Sequence, residues 1–397
     1  MEQAEDGNRI EFAYLTRENM LYNLTPFSRN LLDIPYVQLQ SSDLVPIDQV
    51  IAKIPAELSL RKFLGFEGVP IYLSTLSPIE KLTRGSNDNK SVSLKSRQSY
   101  TTMTNSQFLT YAKLLKADVL VTLCEEKDAD PKKQLGKKSD KRAVKKMLTF
   151  FDEAVALKKS ASLMDTKLVA PIIDTDFDDI RQEMVKSLLE RIDNLGGILI
   201  CSLNQETMSS TYGNHVEHVL KSLETLRDDS LMKGKIIGSS ALGDPVDVLR
   251  KVNWGFNLFE SAYPFRMAEK GYALDFWPKQ WFDKYKDYEA ISSDLDKEKL
   301  KDDLDVFHRK VPYLDLKNKD FMSHKDSLYP TMESYPFKGY SKAYICHLLN
   351  NDEMTGNVLL TLHNCFIYQE FFKVINRREF WKNANGLIYA FCRFVCT

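Results

Sequence analysis

From Asp118 onward short apolar runs alternate with longer amphipathic ones, and that alternation constrains the fold more than any other feature of the chain. Asp118-Val-Leu-Val-Thr-Leu-Cys124 precedes a helical pattern over 141–157, where Val144, Met147, Leu148, Phe151 and Ala154 recur at helical spacing. Lys167-Leu-Val-Ala-Pro-Ile-Ile173 precedes 178–194, and Gly196-Gly-Ile-Leu-Ile-Cys201 precedes 215–226. Gly234-Lys-Ile-Ile-Gly238 is followed by 244–252, and then by a short apolar run ending in Glu260. Strand-helix units of this length imply a parallel sheet with crossover helices. Upstream, Tyr36-Val-Gln-Leu-Gln40, Pro70-Ile-Tyr-Leu-Ser74 and Ser91-Val-Ser-Leu-Lys95 bring the strand total near eight. The expected fold is therefore α/β, a (β/α)8 TIM-type barrel with insertions over 1–304 and a C-terminal helical subdomain over 305–397.

An open doubly wound sheet is the competing arrangement. No Gly-x-Gly-x-x-Gly turn follows any strand, and no Gly-x-x-x-x-Gly-Lys-Ser/Thr loop occurs, which speaks against dinucleotide and P-loop nucleotide binding. With 43% hydrophobic and 27% charged residues the chain can bury a large core. Its formal net charge is -1, so any affinity for a polyanion has to come from a local patch. The acidic start, Met1-Glu-Gln-Ala-Glu-Asp-Gly, fits neither a secretory signal nor an Arg-rich transit peptide, and the expected compartment is the cytosol. The six cysteines form no Cys-x-x-Cys pair, so reduced thiols are expected. The most apolar stretches, near 358–372 and 386–395, are broken by polar and charged residues, and no membrane span is expected.

Functional interest centres on Gly255-Phe-Asn-Leu-Phe-Glu260-Ser-Ala-Tyr-Pro264-Phe-Arg266-Met-Ala-Glu-Lys-Gly271. It reads as a strand delivering the Glu260 carboxylate to its C-terminal end, followed by a Pro-containing loop carrying Arg266. Barrel enzymes keep their chemistry at that end. A glutamate closing a strand is also a common solvated edge residue, so the motif needs support from elsewhere. The segment 132–146 gathers eight basic residues against one aspartate, including Lys137, Lys138, Lys141 and Arg142. It reads either as a phosphate-contacting patch or as a solvated insertion. His215 and His218 lack partners at ligand spacing and read as solvated helix residues. The stripe Leu359, Leu362, Phe366, Tyr368, Phe371, Phe372 and Ile375 reads as core or as a subunit face.

Taken with Gly243-Asp-Pro-Val-Asp-Val-Leu-Arg250, Tyr340-Ser-Lys-Ala-Tyr-Ile345 and His363-Asn364, the Glu260 motif resembles the tRNA-guanine transglycosylase family. Asn89-Lys-Ser-Val-Ser-Leu94 and Pro70-Ile-Tyr-Leu-Ser74 look more like its noncatalytic eukaryotic members. The resemblance implies a catalyst that exchanges guanine for queuine at the tRNA wobble position. An aspartate nucleophile attacks ribose C1′, a second aspartate does acid/base work, and an aspartate, a glutamine and glycine backbone read the base. Breaking a glycosidic bond through an oxocarbenium-like state needs a carboxylate close to C1′.

Carried onto this chain, the nucleophile position is Glu260, longer than aspartate by about one methylene, roughly 1.5 Å. The acid/base element falls on Ser96-Arg-Gln-Ser-Tyr-Thr101, with Ser96 in place of its aspartate. The base-reading aspartate falls on Cys124, with Asp118 retained ahead of it, and the glutamine falls on Asp174 in Asp174-Thr-Asp176. The next strand ends at Ser202-Leu-Asn-Gln205 where the family has Gly-Glu. Of two arginines after the nucleophile, Arg266 stays and the second is Glu269.

A structural zinc site is also implied by the family, Cys-x-Cys-x-x-Cys with a later histidine. Its cysteine positions fall on Met332, Ser334 and Phe337, and His363 is the one retained ligand; Cys346, His347 and Cys365 lie nearby at other spacing. No cofactor is therefore expected. The resemblance implies a noncatalytic subunit that pairs with a catalytic one, contacts tRNA and associates peripherally with the mitochondrial outer membrane; Arg266, kept from the family, and Lys137, Lys138, Lys141 and Arg142 of the basic run are the candidate tRNA contacts. The other reading is a divergent glycosyl-transferring enzyme with Glu260 as nucleophile and Asp174 or Asp176 as its acid/base partner.

Overall fold

A computed structural model describes residues 10–16, 32, 35–40, 44–45, 48–55, 58–75, 88–96, 99–125, 136–159, 163–173, 175, 177–200, 232–240, 243–253, 255–285, 311–331, 334–377, 380 and 391. The described strands are β1 Glu11–Thr16, β2 Tyr36–Gln40, β3 Ile71–Ser74, β4 Ser91–Ser96, β5 Ser99–Thr104, β6 Val119–Val121, β7 Lys167–Ile172, β8 Gly197–Ile200, β9 Ile236–Ser240, β10 Leu258–Ser261, β11 Tyr272–Leu274 and β12 Tyr313–Asp315. Among helices, α1 is Asp48–Ile51, α2 Leu60–Phe63, α3 Asn105–Leu115, α4 Lys137–Leu157, α5 Asp178–Leu189, α6 Pro245–Asn253, α7 Tyr263–Lys270, α8 Pro278–Tyr285, α9 Lys342–Asn350 and α10 Met354–Ile375.

The chain divides into two compact units. The first comprises Met1–Leu21, Ile34–Leu242 and Trp254–Ser261, and the second Tyr22–Asp33, Gly243–Asn253 and Ala262–Thr397. The first unit is a closed barrel in the order β1-β10-β9-β8-β7-β6-β3-β2, every pair parallel. Val37, Ile71, Leu73, Leu120, Val121, Leu168, Val169, Ile198 and Leu199 are fully or almost fully buried. Adjacent residues on one strand are both buried because crossover helices cover the outer face of such a sheet, which is why these strands read as unbroken apolar runs. Gly197 starts β8 opposite Ile236, and a Cβ there would stand 2.4 Å from the Ile236 carbonyl oxygen, so the strand opens on a residue without a side chain.

Two expectations are corrected here. Ser91–Ser96 is no barrel strand; it pairs antiparallel with β5 as a hairpin, and β1 closes the barrel between β10 and β2 in its place. Its Ser-Val-Ser-Leu-Lys alternation is the pattern of a half-exposed strand, unlike the continuous runs of the true barrel strands. The segment after Glu260 is helix α7 and not a loop. Pro264 sits in its first turn, where its missing N–H has no intrahelical partner to lose. Gly271 ends α7 in the left-handed region at φ 86°, and a Cβ there would press on the Lys317 side chain.

The second unit is built around α10, which is buried on nearly every side. Leu359, Leu362, Phe366, Tyr368, Phe371, Phe372 and Ile375 are all buried within it, so that stripe is core. Tyr368 donates its hydroxyl to the Gly243 carbonyl at 2.6 Å, and β11 pairs antiparallel with β12. On α6, Lys251 and Asp247 form an ion pair at 2.5 Å with both side chains buried. Among the described residues no helix is long and apolar enough to cross a membrane.

Candidate functional site

Glu260 lies on β10, one residue from its C-terminal end, where a parallel barrel presents its chemistry. Its register partner on β9 is Ser240, whose hydroxyl donates to Glu260 Oε2 at 2.5 Å. Both groups are buried. Burial pushes the Glu260 carboxyl up to about 7, tempered by hydrogen bonding from Ser240, Tyr72, Ser74 and Gln38. The strands β2, β3, β9 and β10 thus supply a buried polar cluster. A nucleophile must be ionised and must reach its substrate; this carboxyl is interior, and its burial disfavours the ionised form.

The other sequence-predicted positions that are described lie on other elements. Cys124 is buried three residues past β6 as a free thiol. Ser96 ends β4 opposite Ser99, at the tip of the hairpin. Asp174, Asp176, Gln205, His215, His218 and Met332 lie outside the described residues. Asp118 precedes β6 at the end of the barrel remote from catalysis in this fold class. It takes a hydrogen bond from the Ile71 N–H at 2.7 Å and pairs with Arg61, a structural role.

The hairpin is fastened at its base. Lys146, buried on α4, gives its ammonium to the carbonyls of Asp88 and Ser91 and to Glu125 Oε1, the last two at 2.7 Å. Sequence reading missed this ammonium because it belongs to a lysine run that looks uniformly solvated. The signal was periodicity, since Lys146 shares the helical stripe of Ala143, Met147 and Phe150.

The basic cluster at the start of α4 is largely answered from within the chain. Lys137 pairs with Asp179 at 2.7 Å, Lys141 with Glu183 at 3.4 Å, and Arg142 with Glu125 at 3.9 Å; Lys138 is exposed. On α7, Arg266 pairs at 3.0 Å with Glu269, the residue at the second arginine position. The retained cation is therefore partly neutralised one turn along its own helix.

In the second unit, His363 and Asn364 on α10 grip the end of β11. His363 Nε2 lies 2.9 Å from the Leu274 carbonyl oxygen and Nδ1 lies 2.8 Å from the Tyr335 hydroxyl. Burial pushes the imidazole down to about 4. Asn364 accepts from the Leu274 N–H at 2.9 Å and donates to the carbonyls of Pro264 at 3.0 Å and Tyr272 at 2.9 Å. Phe337 is buried edge-on to Tyr335, whereas Ser334 is exposed. Cys346 donates to the Asn318 carbonyl, and its thiol is pushed up by burial; Cys365 is buried, and His347 is exposed beside Asn351.

A closed, eight-stranded parallel barrel with a carboxyl near the C-terminal end of its last strand defines the class of α/β-barrel proteins whose chemistry sits at that mouth. Within that class the chain belongs to the queuine tRNA-ribosyltransferase family, whose model matches residues 34–382. It is 27% identical over 357 residues to queuine tRNA-ribosyltransferase accessory subunit 2 of Gallus gallus, covering 86% of this chain and 80% of that one. Against the accessory subunit 2 of Homo sapiens it is 25% identical over 322 residues, 79% of this chain and 75% of the other. A queuine tRNA-ribosyltransferase-like protein of Plasmodium falciparum is 29% identical over 293 residues, 73% of this chain and 67% of the other.

Proposed function

We propose that the chain is a noncatalytic accessory subunit of a queuine tRNA-ribosyltransferase, pairing with a catalytic subunit that itself exchanges guanine for queuine in tRNA. The observation that carries this reading is the state of Glu260. At the position the resemblance gives to the nucleophile stands a buried carboxyl bonded to Ser240, and burial disfavours the ionised form that attack on C1′ needs. Cys124 at the base-reading position supplies no carboxylate, and Glu269 takes up Arg266. The accessory-subunit relatives support the same reading by name.

The paired subunit would meet a face other than the buried α10 stripe. On α9 and just before it the second unit exposes Tyr344 and Tyr340, stacked at 6.1 Å, which supports pairing on that side. For tRNA, exposed Lys138 and the ion-paired Lys137 and Lys141 offer phosphate contacts, because exposed pairs are weak enough to exchange partners, and Arg142, itself exposed, lies only loosely, at 3.9 Å, against the buried Glu125. Peripheral association with the mitochondrial outer membrane is an expectation of the resemblance, tested by whether the protein sediments with purified mitochondria and washes off at high salt.

The deciding experiment is guanine exchange on tRNA by this chain, by a catalytic homologue, and by both together. Exchange that needs the mixture, and that Glu260→Gln in this chain leaves intact, is expected. Exchange by this chain alone, abolished by Glu260→Gln, overturns the reading.

A further inference from the structure

We infer that the C-terminal unit is built without a metal, and that His363 serves there as a hydrogen-bond hub fastening α10 to β11 and to Tyr335. The family resemblance implies zinc in this region, and the described residues at its positions do not fit one. A carbonyl oxygen only accepts, so the Nε2 atom 2.9 Å from the Leu274 oxygen carries a proton and has no lone pair for a cation. The remaining nitrogen, Nδ1, is engaged by the Tyr335 hydroxyl at 2.8 Å. Coordination through Nε2 would take from the Leu274 carbonyl its shorter hydrogen bond, and coordination through Nδ1 would take from the buried Tyr335 hydroxyl its imidazole partner, where losing a polar partner is costly.

The surroundings follow the same logic. Tyr329 stacks on the imidazole with ring centroids 5.6 Å apart, and its hydroxyl reaches the Leu274 oxygen at 3.4 Å. Tyr335 meets the imidazole edge-on at 5.6 Å and also contacts Phe337 and Phe366. Closed structural zinc sites need thiolates and imidazoles. Here one former thiolate position is a buried phenyl ring, Phe337, and another is an exposed neutral hydroxyl, Ser334. Aromatic packing around a two-sided hydrogen bond has taken over the cross-linking that a metal would provide.

The test uses the full chain, purified and measured for metal content before and after dialysis against a chelator, with thermal unfolding followed in chelator and in added zinc. Zinc well below one equivalent is expected, together with a midpoint that chelator moves by no more than about 1 °C. Nitrogen-15 spectra should show the His363 ring protonated on Nε2. Tyr335→Phe should lower the midpoint equally with and without zinc; should that variant fail to fold, the wild-type measurements decide alone. One equivalent of zinc that survives the chelator, or a midpoint that falls by several degrees when zinc is removed, overturns the inference.

Discussion

Replacing Glu260 by glutamine gives a pH-dependent test of the barrel interior. In the folded chain burial holds the carboxyl at about 7, against an ordinary value of 4.5. A carboxyl raised on folding is protonated in both states below about pH 4.5 and has no differential effect there. As pH rises from 4.5 through 7 the unfolded chain loses this proton more readily, and the native state loses stability. Above 7 the loss is complete. The gap between about 7 and 4.5, at about 1.36 kcal/mol per pH unit, comes to roughly 3 kcal/mol. Glutamine matches the shape, can accept from Ser240 and carries no proton to lose. Urea unfolding of wild type and Glu260→Gln at pH 5, 6.5 and 8 cancels every other titrating group in the difference. The variant should gain on wild type as pH rises, by roughly 2.5 kcal/mol between pH 5 and pH 8. A difference that stays flat with pH would show that the carboxyl is ionised throughout, and the argument against nucleophilic attack would fall with it.

Asn364→Ala should cost roughly 3 to 5 kcal/mol, since it strips partners from the Leu274 N–H and from the Pro264 and Tyr272 carbonyls around a buried side chain; chemical denaturation measures it, and a loss under about 1 kcal/mol would refute the clamp. Charge reversal at Lys137, Lys138, Lys141 and Arg142 should weaken tRNA binding and flatten its salt dependence, while unfolding shifts little because the pairs broken are mostly exposed; unchanged binding places the tRNA elsewhere.

The barrel was legible because parallel strands covered on both faces leave continuous apolar runs, as at 167–172 and 197–200. Glu11–Thr16 was missed because a single short strand next to a polar terminus has no helix pattern before it to announce a repeat. Glu260 could be placed on its strand end from spacing alone. Its environment could not, because Ser240, Tyr72, Ser74 and Gln38 come from distant segments that only barrel closure brings together. The same holds for His363, whose partners Tyr335 and Leu274 lie 28 and 89 residues away. Local pattern carries secondary structure; a side chain's protonation and pairing are set by neighbours in space.

The fastening of β4–β5 by Lys146 has a mechanical consequence. An enzyme that admits a nucleotide and lets a free base depart benefits from a segment near the reacting groups that can swing and return. Here the hairpin bearing Ser96 has an ammonium driven through its base, satisfied by two backbone carbonyls and Glu125. The base of the hairpin could shift only by unseating that buried cation, so any movement of β4–β5 has its pivot beyond Ser91 and leaves the anchor in place.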